Sequence, residues 1–429
     1  MDGDVSIKQR KRKRLIAAAL GMALASAGLA GCSSSGATEL RFTFSKREAI
    51  DFMRQVVNDY NAANPDVHVV LDTSGPDVIS GGFVRGNPPD LMLANYNHEN
   101  SRFIQRCALS DLSDLPETKR VREETWPLMD AYGACPDGRI SAIPYSLMLS
   151  GVIYNKDIFA QYDLEVPTTW DELIEVSDTL KDNGVDPFYA TFSSGESWTI
   201  GQGWFDYTVI SSIDVLDFFK KMNEEGTDVG PDSEVSYEKD FAEPVQKMRE
   251  LADNYTNADA RNRTYGDGNL AMAQGKAAMM MQGPWAMAEI AKSNPDGNYG
   301  MFPLPATNDP EKTKARSNTD LALMIPEDSK HKEEAREFLQ YLYQPEMLEE
   351  YNASQLGFTP TTEAKDPTDP RIEDMVTAFK DGKYSEGPSV LTPRAIPVNN
   401  YTQTMILGSD PTAPLRTMDQ DWVRLAKRG

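Results

Sequence analysis

The chain has 429 residues, 66 of them acidic and 43 basic, for a formal net charge of −23. That balance repels phosphate backbones and anionic lipid, so neither nucleic acid nor a headgroup surface is an expected partner. Its three histidines, His68, His98 and His331, are scattered without ligand spacing, so no metal or other cofactor is expected.

A basic cluster at the N-terminus, Lys8 and Arg10 through Arg14, precedes the apolar stretch Leu15 to Ala30. Only about 16 apolar residues are available where roughly 20 span a bilayer, so the segment reads as an export signal. It closes on Leu29-Ala30-Gly31-Cys32, which resembles the lipobox of bacterial lipoproteins. The resemblance implies removal of residues 1–31, with Cys32 diacylated on sulfur as the first mature residue. The alternative is an ordinary cleaved signal that ends in cysteine. Residues 32–38, including Ser33-Ser34-Ser35-Gly36, then form a flexible tether, and the protein works lipid-anchored on the outer face of the cell membrane. The first 31 residues hold six basic and two acidic side chains, so the remaining 398 carry net −27. That length exceeds one core and suits two domains.

Leu40 to Phe44 alternates as a strand, and Ile50, Met53, Val56, Val57 and Tyr60 mark one face of a helix that ends near Asn64-Pro65. Val67 to Leu71 is a second strand. After a loop at Gly81-Gly82, Leu91 to Ala94 is a short buried third strand. This order predicts an α/β fold with a parallel sheet covered by helices. Cys107 and Cys135 follow. In an oxidising compartment they read as a disulfide closing a loop of about 28 residues, or else as two buried free thiols.

Gly151 to Asn155 is a further strand, running into Lys156 to Phe159. A helix starts at Pro167-Thr168-Thr169-Trp170, with a threonine cap and acids in its first turn. The small, methionine-rich stretch Asn269 to Met281 predicts a helix with adaptable packing. Another amphipathic helix spans Lys332 to Tyr343, and Pro345 breaks it.

Taken together and in this order, the segments resemble the extracellular solute-binding proteins of ABC importers, in the sugar-binding family that includes maltose-binding protein. The pieces that carry the resemblance are Asn64-Pro65-x-Val67, Pro89-Asp90-Leu91, Ala142 to Tyr145 before Val152 to Asp157, and Val166-Pro167-x-Thr169 through Leu173. Gln274 to Met279 with Gly283-Pro284-Trp285, then Tyr299-Gly300, Pro303, Pro305 and Glu334 to Leu339, complete the set. The family implies a two-lobed periplasmic-binding-protein-like fold of type II, with a ligand cleft between lobes joined by crossing hinge strands. Lobe 1 is expected at 39–148 plus 321–357, and lobe 2 at 149–320 plus 358–429. A sugar ligand, permease transmembrane subunits and a monomeric state follow as expectations.

A sugar offers apolar faces and a rim of hydroxyls, so its receptor needs aromatic planes, carboxylates and amides. Trp285, in the Gly-Pro-Trp turn, matches the family's stacking tryptophan, with a core tryptophan as the alternative. The turn is expected to present its ring away from the preceding helix. Glu196 and Trp198, in a loop-like Ser/Gly segment, are carried over as an acid and an aromatic of the cleft. Trp204 and Phe205 read as core packing. Asn95, Tyr96 and Asn97 follow the third strand, at the carboxyl end where open α/β sheets bind ligands. Amides there, in place of a carboxylate, depart from the maltose branch. Ser45 and Lys46 end the first strand and are similarly placed. Tyr145 is a hinge or cleft candidate, and Asp320 either bonds a hydroxyl or caps a turn. Trp170, inside the helix-start motif, reads as structural.

Two other classes compete with a sugar receptor. A glycoside hydrolase needs carboxylates flanking one bond, but Asp171-Glu172 and Glu349-Glu350 are adjacent helical residues pointing about 100° apart. A receptor of the same shape for a peptide, amino acid or metal complex is the other.

Overall fold

A computed structural model describes residues 36–427; the export signal and Cys32 lie outside the described residues. Nine strands form one mixed sheet among those residues: β1 (Thr38–Thr43), β2 (Val67–Asp72), β3 (Leu91–Ala94), β4 (Ile143–Asn155), β5 (Asp186–Phe188), β6 (Ala277–Gln282), β7 (Tyr299–Phe302), β8 (Ala315–Met324) and β9 (Tyr384–Glu386). The main path runs β2-β1-β3-β8-β4-β6-β5, with β7 beside β4 and β9 beside β8.

The expected parallel sheet is found where β1 lies between β2 and β3. The helix Ile50–Ala63 joins β1 to β2 and buries Met53, Val56, Val57 and Tyr60, the face expected from its periodicity. The middle of the sheet is antiparallel instead. There β8 pairs with β3 on one side and β4 on the other. The 13-residue β4 changes neighbours along its length. Ile143 to Ser150 pair with β8, whereas Gly151 to Asn155 run between β6 and β7. Both long strands thus reach from one group of strands into the other.

Local chemistry sets several boundaries. Thr169 caps the helix Trp170–Asp182 through a capping box: its Oγ1 accepts from Glu172 N at 3.2 Å, and Glu172 Oε2 accepts from Thr169 N at 3.2 Å. Trp170 lies in the core under Lys247, whose Nζ is 5.3 Å from the ring centroid. Lys332–Leu342 is the expected amphipathic helix.

Two element assignments change. The stretch expected as one helix from Asn269 to Met281 is a helix, Tyr265–Ala273, followed by β6. Gly275, at φ +64, takes the left-handed conformation that ends the helix. The Ala-Ala-Met-Met-Met run after it is buried on both faces between β4 and β5, where an unbroken apolar run suits a strand. Gly81 and Gly82 lie within the helix Pro76–Val84 instead of a loop. Among the described residues no helix is long and apolar enough to cross a membrane. Cys107 and Cys135 are joined as a disulfide, Cα–Cα 5.2 Å.

Candidate ligand-binding site

Strand ends and one strand face converge on a polar cavity of about 280 Å³. Ser45 and Lys46 follow β1 and Asn95 follows β3, at the carboxyl ends of parallel strands. Arg316, Asn318 and Asp320 alternate along β8, so the two-residue period of a strand turns all three to the cavity. Trp198 and Gln202 come from the segment after β5, and Trp285 from the first turn of the helix Pro284–Ser293 that follows β6. Arg47 and Glu48 complete the lining.

Trp285 owes its position to Gly283. The indole folds back across that residue so closely that a Cβ there would sit 2.2 Å from Trp285 Cζ3. Only glycine allows the approach. The preceding element is the strand β6 and not a helix, and Trp285, in the first turn of the helix Pro284–Ser293, lays its ring back over Gly283 instead of projecting away from it. Its Nε1 donates to Gln282 Oε1 at 3.1 Å, and the ring is half-buried against the core of the β6 side. Trp198 is also half-buried and packs on Tyr265, ring centroids 5.3 Å apart.

Two of the cations on the cavity, Lys46 and Arg316, are paired with carboxylates. Lys46 Nζ lies 2.5 Å from Asp320 Oδ2, and Asn95 Nδ2 donates to the Asp320 carbonyl at 2.7 Å. Arg316 donates from Nε to Asp206 Oδ2 at 3.3 Å and from Nη1 to Asn318 Oδ1 at 3.2 Å. Behind it, Asp206 also accepts from Ser389 N at 2.8 Å and Ser389 Oγ at 2.7 Å. Burial raises the Asp206 carboxyl, and Arg316 and Ser389 oppose that shift. Glu386, fully buried and accepting from Tyr132 Oη at 3.4 Å, is pushed up to about 7 by burial against the opposing pull of Arg316.

Ser45, Lys46, Asn95, Trp198, Trp285 and Asp320 are thus brought together at one cavity. Asn97 lines a neighbouring cavity instead. Three candidates lie elsewhere. Tyr96 is 5% exposed and packs edge-on against Tyr132, because the step after β3 turns alternate residues inward. Tyr145 is fully buried among Tyr343 and Tyr351, on the inner face of β4. Glu196 is half-buried, and its Oε2 accepts from Tyr265 N at 2.6 Å, at the start of a helix. Sequence reasoning missed Arg316, Asn318, Gln202, Arg47 and Glu48. The alternation Arg-x-Asn-x-Asp within β8 carried a signal for the first two.

What the cavity offers is two indoles, amides and two cations already paired with carboxylates, which suits a polyhydroxyl solute.

Comparison with known proteins finds relatives along most of the chain. The chain is 25% identical over 339 residues to the multiple sugar-binding protein of Streptococcus mutans, covering 76% of this chain and 78% of that protein. It is 24% identical over 307 residues to the melibiose/raffinose/stachyose-binding protein MelE of Bacillus subtilis, covering 71% and 69%. Among solved structures, RafE in complex with raffinose superposes with TM-score 0.76 at 18% identity, covering 91% of this chain and all of that one. The apo form of RafE from Streptococcus pneumoniae gives 0.74 at 18% identity, covering 92% and 100%. A Bacillus licheniformis sugar transporter protein in complex with stachyose gives 0.68 at 19% identity, covering 90% and 100%. The fold is therefore the two-lobed α/β fold of solute-binding proteins. Residues 46–349, well over half of the chain, match the profile of one family, and the chain belongs to it: the bacterial extracellular solute-binding proteins.

Proposed function

We propose that the protein captures a carbohydrate, of oligosaccharide size, in the cavity between β1, β3, β8 and Trp285, and delivers it to the permease of an ABC importer. The observation that carries this reading is the pair of half-buried tryptophans, Trp198 and Trp285, lining one cavity with Asp320, Asn95, Asn318 and Gln202. Aromatic faces meet the apolar side of a pyranose, and carboxylate and amide groups meet its hydroxyls. Lobes of 39–148 plus 321–357 and 149–320 plus 358–429 would close about β4 and β8, with closure desolvating these contacts. The strand exchange at Ser150–Gly151 supports a boundary there. Members of the family work outside the cytoplasm, and Cys32 would tether this one to the membrane. The protein acts as a monomer and does no chemistry on its ligand. Among the described residues, the carboxylates on the cavity are Asp320, held by Lys46, and exposed Glu48.

Lys46, Arg47 and Arg316 also suggest a phosphorylated polyol, and one relative is the sn-glycerol-3-phosphate-binding protein UgpB of Shigella flexneri. Asp320 and Asp206 already neutralise two of these cations, which favours the neutral sugar. A thermal-shift panel of mono- and oligosaccharides with glycerol 3-phosphate tests the choice. A ligand at 100 times its dissociation constant adds about 2.7 kcal/mol of stability. Stabilisation by glycerol 3-phosphate alone would overturn the sugar reading, and product release from any sugar would overturn the non-enzymatic one.

A further inference from the structure

Glu386 ends β9, beside β8, and is fully buried without an ion pair of its own. Arg316, the cation whose field reaches it, donates from Nε to Asp206 and from Nη1 to Asn318, and its Nη2 has no partner. Among the described residues, the ion pair of Arg316 is with Asp206. The helix Val215–Glu225 packs against β9 and buries Val215, Phe218, Phe219 and Met222. Its Lys220 is exposed, and its Lys221 pairs with Asp217 and Glu234. What meets the Glu386 carboxyl is a phenol, Tyr132, whose Oη donates to Oε2 at 3.4 Å. A buried carboxyl in such surroundings is far less costly neutral than ionised.

Tyr132 belongs to the β3 side of the molecule. Its ring packs edge-on against Tyr96, centroids 5.4 Å apart, and its carbonyl accepts from Gln105 Nε2 at 2.7 Å. Three residues on, Cys135 is bonded to Cys107. Tyr132 also lines a groove of about 670 Å³ with Phe219, Leu391 and Trp422, so it stands where distant segments meet. In the lobe division proposed above, Tyr132 falls in 39–148 and Glu386 in 358–429. Opening of the cleft would then withdraw the phenol from the carboxyl and let water reach it. Arg316 connects this place to the ligand, because it lines the tryptophan-bearing cavity while pairing with Asp206 beside Glu386.

We infer that sugar capture is proton-linked: closure around the ligand seats Tyr132 over Glu386, and the carboxyl takes up one proton from solvent as water leaves it. This rests on the carbohydrate and closure readings above and adds a regulation of the same site. In the arrangement seen here, burial pushes Glu386 up to about 7 against the pull of Arg316, and Asp206 adds to the rise. Water at the carboxyl lowers that value in the open form. Between the two values the closed form holds more protons, so affinity falls as pH rises through that range and levels off above it.

Calorimetric titration of the mature protein with glucose-, galactose-, xylose- and N-acetylglucosamine-based oligosaccharides, at pH values from about 5.5 to about 8, tests it. For each sugar that binds, affinity should fall at least about threefold across the range, and by no more than about tenfold per pH unit, the limit for one proton. Near the middle of the range, heats in buffers of different ionisation enthalpy should show net proton uptake on binding. Glu386→Gln, neutral at every pH, should abolish both the fall and the uptake. Asp419→Asn should leave them unchanged, because that raised carboxyl accepts from Tyr237 N and Glu238 N, away from the cavity. Should Glu386→Gln fail to fold, Tyr132→Phe serves instead: loss of the hydroxyl that favours the anion should move the fall to higher pH. Affinity independent of pH, or a fall and uptake that survive in Glu386→Gln or stay in place in Tyr132→Phe, would overturn the inference and leave sugar binding intact. Failure of every sugar to bind would overturn the underlying reading, and the inference with it.

Discussion

Lys46 Nζ and Asp320 Oδ2 are 2.5 Å apart, with side chains 8% and 6% exposed, and they tie the end of β1 to β8 beneath the ligand cavity. A pair so buried stabilises less through its own attraction than through the cost of leaving one member alone. Lys46→Met should therefore destabilise the protein by on the order of 3–5 kcal/mol in urea denaturation. Adding Asp320→Leu to it should recover most of that loss. A double variant no more stable than the single one would show that the pair does more than neutralise charge.

Trp285 and Gly283 make a paired prediction. Trp285→Ala should weaken sugar binding roughly tenfold to a hundredfold, the equivalent of about 1–3 kcal/mol of lost contact. Gly283→Ala should weaken it too although the indole remains, because the added methyl occupies the space into which the ring folds. Calorimetry alongside melting curves separates the effects. Unchanged affinity in Trp285→Ala would end the stacking role.

Stability should fall as pH rises from about 5 to 8. Glu386 is pushed up to about 7 by burial, and Asp419 up to about 6 by burial, while Asp206 shifts in the same direction. A carboxyl with a raised folded pKa holds its proton in the native state over a range where the unfolded chain has lost it. Stability is then greatest below the unfolded value near 4.3 and is lost as pH climbs through the folded value. Arg316, Asp206 and Tyr132 surround Glu386, so its titration is felt at the floor of the cavity. Glu386→Gln should flatten the melting-temperature profile between pH 5 and 7.5. An identical slope in that variant would assign the effect elsewhere.

Reduction of Cys107–Cys135 should cost about 3–4 kcal/mol, from the entropy of a loop closed over 28 residues. Intact mass without reductant should be two hydrogens lighter than after reduction. Two alkylatable thiols in the native, unreduced protein would show the bond absent.

Cys32→Ala should release the protein from membranes or block its processing, since the thiol is the acylation point that the Leu-Ala-Gly-Cys run implies. Normal membrane retention, measured by fractionation, would refute the anchor.

Periodicity and capping were legible along the chain because they depend on neighbours a few residues apart. Ile50–Ala63, the Thr169 cap and Lys332–Leu342 were readable for that reason. So was the clustering of Ser45, Lys46 and Asn95, since both parallel strands end on the same edge. What the chain could not show was set by partners far away in sequence. Ala277 to Gln282 is a strand because β4 and β5 flank it, against the helical preference of alanine and methionine. Tyr96 and Tyr145 turn inward because cores on either side of the sheet need filling, although their positions along the chain resemble those of Asn95 and Asp320. Gln202 becomes a candidate contact only when Asn399 and Met281, 197 and 79 residues away, close on the glycines beside it. Local sequence determined which segments could be helices and strands and which residue types could meet a sugar. Tertiary packing decided which of those residues share a cavity, because that is fixed by long-range burial and close backbone approach.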